Sequence, residues 1–142
     1  MEIDPLTYGV IGCAMRVHRK LGPGFQEKIY QNALEIELKK LNLDIDCELE
    51  RPIFYDGQLV GARRVDVLVH GQLILELKAV ACLKDEHVVQ TKNYTVVFGY
   101  PRALLINFGA RSLEYKLFSI PIRLPGIMVL AAIGSKPKHA RN

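Results

Sequence analysis

Two carboxylates and a lysine lie close together in the stretch RRVDVLVHGQLILELKAV, residues 63–80: Asp66, Glu76 and Lys78. Side chains two apart on a strand share a face, so Glu76 and Lys78 project together if residues 73–79 are extended. Register decides whether Asp66 joins them. A three-residue loop at 70–72 pairs Val69 with Leu73, Val67 with Leu75 and Val65 with Leu77, and sets Asp66 opposite Glu76. A two-residue loop puts Asp66 beside Leu75 and mixes apolar with charged residues on both faces. Burial of one aliphatic face therefore selects the odd loop.

Two facing carboxylates repel each other unless a cation holds them. A hard divalent ion does this, and Mg²⁺ typically takes one or two carboxylates, a substrate phosphate oxygen and several waters. A lysine beside such a site positions a water or stabilises charge developing on a phosphate. The competing reading is a solvated hairpin face, because so short a D…ExK pattern recurs by chance. The Val- and Leu-rich strands around it argue against a face that is simply wet.

The elements that must position these residues follow from periodicity. Val10, Ile11, Ala14, Val17, His18 and Leu21 recur at helical spacing, which predicts an amphipathic helix over 5–20, stopped by Leu21-Gly22-Pro23-Gly24. A second helix is expected over about 25–41, with Asn42 as its C-cap. From Ile45 the period turns towards two. Strands are expected at 47–55, 59–69 and 73–79, the first demoted to an edge or bulge by Pro52 and joined to the second by Asp56-Gly57. A helix over 85–98, a buried strand over 103–108 and a last strand over 112–120 complete an order ααβββαββ, an α/β (α+β) fold with a mixed sheet.

Several helix positions share faces with one another. Glu27 and Tyr30 lie three apart, and Glu27 falls in a first helical turn, where the helix dipole alone justifies a carboxylate. Gln90 and Tyr94 lie four apart. His18 suits the negative end of the first helix. Arg64, in phase with Asp66, either approaches a phosphate or neutralises the carboxylates.

The whole chain sets the frame for these residues. Its 142 residues suit one domain, and 49% hydrophobic with 24% charged residues describe a globular protein. A net charge of +4 is compatible with a polyanionic partner and weak evidence for one. Cys13, Cys47 and Cys82 are far apart and form no CxxC pair, so buried or half-buried thiols in a reducing cytoplasm are expected rather than a zinc or iron–sulfur site. The start, Met1-Glu2-Ile3-Asp4-Pro5, lacks a signal-peptide pattern, and the apolar run 127–133 is too short to span a bilayer. The expectation is a cytoplasmic protein with no membrane partner.

The run 17–30, VHRKLGPGFQEKIY, resembles the signature of the GxxExxY protein family, with Gly24, Glu27 and Tyr30 as its named letters. Arg64-Val65-Asp66, Glu76-Leu77-Lys78-Ala79-Val80 and Leu105-Ile106-Asn107-Phe108-Gly109 resemble the same family, so that the likeness covers roughly 8–117. That family is placed in the PD-(D/E)xK nuclease superfamily, and the resemblance implies a restriction-endonuclease-like core in residues 1–120, followed by a tail, 121–142. It implies that Asp66, Glu76, Glu27 and the backbone carbonyl of Leu77 hold Mg²⁺ or Mn²⁺, with Lys78 as the catalytic lysine. It also implies that Gln90 and Tyr94 form a QxxxY element that orients the site and contacts nucleic acid, with Arg64 and Tyr30 beside it. Val65 stands where the superfamily motif names a proline, a residue the chemistry does not require. The implied activity is metal-dependent hydrolysis of DNA, of a repair or processing type, with RNA as the other candidate substrate. The alternative is a catalytically silent nuclease-fold module that binds nucleic acid or a protein partner. So small a nuclease grips little nucleic acid alone, which is compatible with a homodimer.

Overall fold

The structure, a computed structural model, describes residues 3–119; the tail expected at 121–142 lies outside the described residues. Helices α1 (Pro5–Leu21) and α2 (Glu27–Lys40) come first, then strands β1 (Ile45–Tyr55), β2 (Gln58–Val69) and β3 (Leu73–Lys78). Helix α3 (Asp85–Phe98) and strands β4 (Arg102–Asn107) and β5 (Glu114–Ser119) follow. The order ααβββαββ is the one the periodicity predicts. The five strands form one sheet in chain order, antiparallel except between β3 and β4, which the α3 crossover makes parallel.

Two cores lie on opposite faces of this sheet. Val10, Ile11, Ala14 and Val17 of α1 and Tyr30, Leu34 and Leu38 of α2 cover Val67, Val69, Leu73, Leu75, Leu77, Leu104 and Ile106. Tyr94 and Phe98 of α3 cover Leu49, Val65, Leu68, Ile74 and Ala103 on the other face. Strands β3 and β4 are covered on both sides, which is why Leu73–Leu75 and Ala103–Ile106 are apolar without a break. The first helix begins where Asp4 accepts a hydrogen bond from the Thr7 amide at 2.7 Å and Pro5 fixes the first φ. Glu37, buried between three cations, joins it to α2 through Arg16 at 3.0 Å.

The turns follow their residue chemistry. Asp56 and Gly57 both take positive φ, 51° and 75°, which matches the right-handed twist of a two-residue hairpin. Strand β1 lies at one edge of the sheet, and Pro52 is tolerated there. Residues 70–72 form the odd loop, and Val69 pairs with Leu73 and Val67 with Leu75 as the register argument requires. Asn42 sits one residue past the C-cap of α2, at φ 58°. Two cysteine expectations need correction: Cys47 and Cys82 are exposed, because they fall on the edge strand and in the β3–α3 connection, and only Cys13 is buried.

Candidate functional site

The expected pair Val65–Leu77 does not form; the β2–β3 ladder stops at Val67–Leu75. From there the Asp66 carboxylate replaces a backbone acceptor: its Oδ2 takes the hydrogen bond of the Leu77 amide at 2.8 Å. Val65 also leaves the face of Val67 and packs in the α3-side core, with Leu68 and Ile74. The reason lies in the neighbouring strand. Opposite Asp66, between the pairs Cys47–Val67 and Leu49–Val65, Glu48 takes φ 54°, a left-handed conformation rare for a residue with a side chain. That local irregularity breaks the alternation and turns Asp66 into the gap opening between β2 and β3.

Glu76 is buried, and its Oε1 has no hydrogen-bond partner among the described residues. Burial first, then the Asp66 charge, push its carboxyl up to about 8, while Lys78 and a hydrogen bond with Tyr94 pull the other way. The same burial and the charge of Glu76 push the Tyr94 phenol up to about 12. Lys78 donates to the Gln90 Oε1 at 3.2 Å and stands 3.9 Å from the Glu76 Oε2. One helical turn of α3 thus presents Gln90 to the lysine and Tyr94 to the glutamate, as their spacing of four allows.

Glu27 reaches the same place from the N-terminus of α2. Desolvation and then the Asp66 charge raise its pKa, and Lys78 lowers it. Asp66 is itself raised by burial, against the Leu77 amide, Lys78 and Arg64. Three carboxylates on three elements therefore feel one another's charge, with a single ammonium among them. Arg64 is exposed and lies 3.9 Å from Glu48, which also pairs with Lys28. Tyr30 is wholly buried, stacked on Phe108 with 4.8 Å between ring centroids. Its hydroxyl donates to the Gly22 carbonyl and accepts from the Phe25 amide at 3.2 Å. It has no surface to offer a nucleic acid; it fastens the loop that leads into Glu27.

Three contributors had no role assigned to them from the sequence. Arg63, rather than Arg64, stacks over Tyr94, 4.9 Å from the ring centroid. With Lys78, Glu86, His87, Gln90 and Asn93 it lines an open cleft of about 660 Å³ beside the carboxylates. Glu48 escaped because nothing in its type announces positive φ. Asn107 ends an apolar run, and that was its available signal: its Oδ1 accepts from the Val80 and Gly109 amides, and its Nδ2 donates to the Val80 carbonyl. A Cβ at Gly109 would run into the backbone of Ala79 and Val80, so glycine is required at this close approach. Together they fix the chain just beyond Lys78.

The residues fit a divalent ion in one respect. A buried carboxylate oxygen without a partner, facing further carboxylates, is an arrangement that a hard cation relieves. Among the described residues no three His, Cys, Asp or Glu side chains are gathered as a ready cage. Mg²⁺ needs only one or two carboxylates, completing its shell with waters and substrate oxygens. Asp66 and Glu76 would hold it, with the Glu27 carboxylate coupled by charge to both.

Open sheet, single parallel crossover and a carboxylate–lysine cluster at the splayed ends of β2 and β3 define a nuclease-type α+β fold. The family model of the PD-(D/E)XK nuclease superfamily matches residues 4–118, and the chain belongs to that superfamily. A solved structure described as "Crystal structure of SSO0001" is similar at 21% identity with a TM-score of 0.54, over 82% of this chain. That likeness bears on the fold alone, and this chain spans 59% of the other. No curated protein matches the chain. Among the described residues no helix is long and apolar enough to cross a membrane.

Proposed function

We infer that this chain is a Mg²⁺- or Mn²⁺-dependent nuclease that hydrolyses phosphodiester bonds, with DNA as the leading substrate. The observation that carries this reading is the buried Glu76 carboxyl with its unpartnered oxygen, next to Asp66 and to a lysine that Gln90 holds in place. Bound at Asp66 and Glu76, a divalent ion supplies Lewis-acid activation of the phosphate and of a water. Lys78 orients the attacking water and neutralises charge on the phosphate as the new P–O bond forms and the opposite one breaks. Gln90 keeps the ammonium turned towards that phosphate rather than collapsed onto Glu76. Tyr94 steadies Glu76 by hydrogen bonding. The G-x-x-E-x-x-Y letters Gly24, Glu27 and Tyr30 support a place in the GxxExxY family within this superfamily, where Glu27 completes the charge of the centre.

The test is cleavage of single-stranded, double-stranded and branched DNA, and of RNA, by the full chain with Mg²⁺ or Mn²⁺. Asp66→Ala should abolish cleavage and Lys78→Ala should cut it by about 10²–10³, both leaving the thermal unfolding transition cooperative. Wild-type protein that cuts none of these substrates, or variants that cut as well as it does, would remove this reading. Wild-type protein that binds nucleic acid without cutting would instead be the silent module.

A further inference from the structure

The β1–β2 ribbon carries a pair of cations that the centre described above does not use. Arg51 and Arg63 are directly opposed across the two strands, which places their Cβ atoms about 4.5–5.5 Å apart. Both guanidiniums lie on the α3 face. Arg63 stacks on Tyr94, Arg51 donates to the Tyr100 hydroxyl at 3.1 Å, and the two tyrosines share one apolar cluster. Like charges placed so repel each other. Among the described residues neither arginine has a carboxylate in ion-pair reach. Arg51 is only 1% exposed, yet its Nε and Nη1 have no hydrogen-bond partner among those residues. A buried guanidinium with open donors is costly, and an anion relieves that cost. Arg63 is the half-buried member, and it stands in the wall of the cleft that Lys78 also lines.

We propose that Arg51 and Arg63 form a phosphate subsite, separate from the Asp66–Glu76 centre, that grips a phosphate of the substrate strand neighbouring the one that is cut. Arg63 makes the contact across the cleft wall, and Arg51, buried behind it, contributes its charge. The planar fork of a guanidinium matches phosphate oxygens, which a lysine at either position would not do equally well. The ligand chemistry is a phosphate ester, supplied either by an internal phosphodiester or by a terminal 5′-phosphate. This subsite rests on the nucleic-acid reading above, but not on turnover.

Binding of a fluorescent single-stranded oligonucleotide to the full chain in EDTA tests it, with the 5′ end either phosphorylated or free. Arg63→Gln should weaken binding about tenfold and lower the salt slope by about one. A loss confined to the phosphorylated strand assigns the terminal phosphate; an equal loss for both assigns an internal one. Arg51→Met, which keeps volume without charge, should weaken binding likewise while holding or raising Tm. A lowered Tm with unchanged affinity would give Arg51 a packing role and overturn its part. Unchanged affinity and salt slope in both variants, or no binding of either strand by wild-type protein, overturns the subsite. Wild-type protein that binds in EDTA but does not cut with metal overturns the nuclease reading and leaves the subsite standing.

Discussion

At the scale of the residue, Glu76 dominates the electrostatics. Its carboxyl ionises at about 8 in the folded protein, far above an unfolded glutamate. Folding therefore favours its protonated form. The stability this contributes is fully present below about pH 4.5 and is lost as pH rises towards 8. Glu27 and Asp66, both raised, act in the same direction. Metal-free protein should thus lose urea-unfolding free energy between pH 5 and 8, by about a few kcal/mol. Glu76→Gln should flatten most of that fall, and a profile of equal slope in the variant would place the titration elsewhere. Saturating Mg²⁺ should cancel the loss, because ion binding favours the ionised carboxylate. The division of labour on α3 gives a second prediction. Lys78→Ala should lower kcat by about 10²–10³ as a lost electrostatic contact in the transition state. Gln90→Ala leaves the ammonium but frees it to lean on Glu76, so its smaller loss should appear in kcat rather than KM.

At the scale of the element, the sequence disclosed the periodic parts and hid the exceptions. The odd loop at 70–72 was legible because only that register buries one aliphatic face, and it brought Asp66 and Glu76 together. The ladder's end at Val67 was not legible, because it depends on the backbone of Glu48, a residue with no ordinary claim to positive φ. Glu48→Gly should keep cleavage within about threefold, since glycine adopts that conformation without strain. Glu48→Val should cost about 1–3 kcal/mol of stability and depress cleavage further, since a β-branched residue resists it. Equal behaviour of the two variants would mean that the side chain of Glu48 matters and its backbone does not. Gly109→Ala tests the close approach of the strand ends. Its Cβ meets the Ala79–Val80 backbone, so a drop in Tm should come with lost activity, which Gly12→Ala, whose Cβ meets nothing within 4 Å, should not show.

At the scale of the whole molecule, the two covered faces of β3 and β4 made the fold legible from apolar runs, and the helical spacing of α1 and α2 supplied their cover. Partner and substrate were less legible because they rest on the cleft, which is assembled from α3, Arg63 of β2 and Lys78 of β3 and has no contiguous signature. Arg63 reaches that cleft only because the strand phase changes at Asp66, which no pattern of residue types foretells. Addition of Mn²⁺ or Mg²⁺ should raise the melting temperature, by an increment that grows with ion concentration and vanishes in Asp66→Ala. An identical increment in that variant would place the ion outside the centre.

The hydroxyl of Tyr30, turned inward to the loop before Glu27, implies a hierarchy of motion. Glu76 and Lys78 sit on β3, covered on both faces, and Asp66 near the buried end of β2, whereas Glu27 depends on a short approach fastened by one phenol. In native-state hydrogen exchange the amides of 25–28 should open at far lower free energy than those of 74–77. The centre would then come apart in order. The helix carboxylate departs first, and the sheet keeps its pair in place until the molecule itself unfolds.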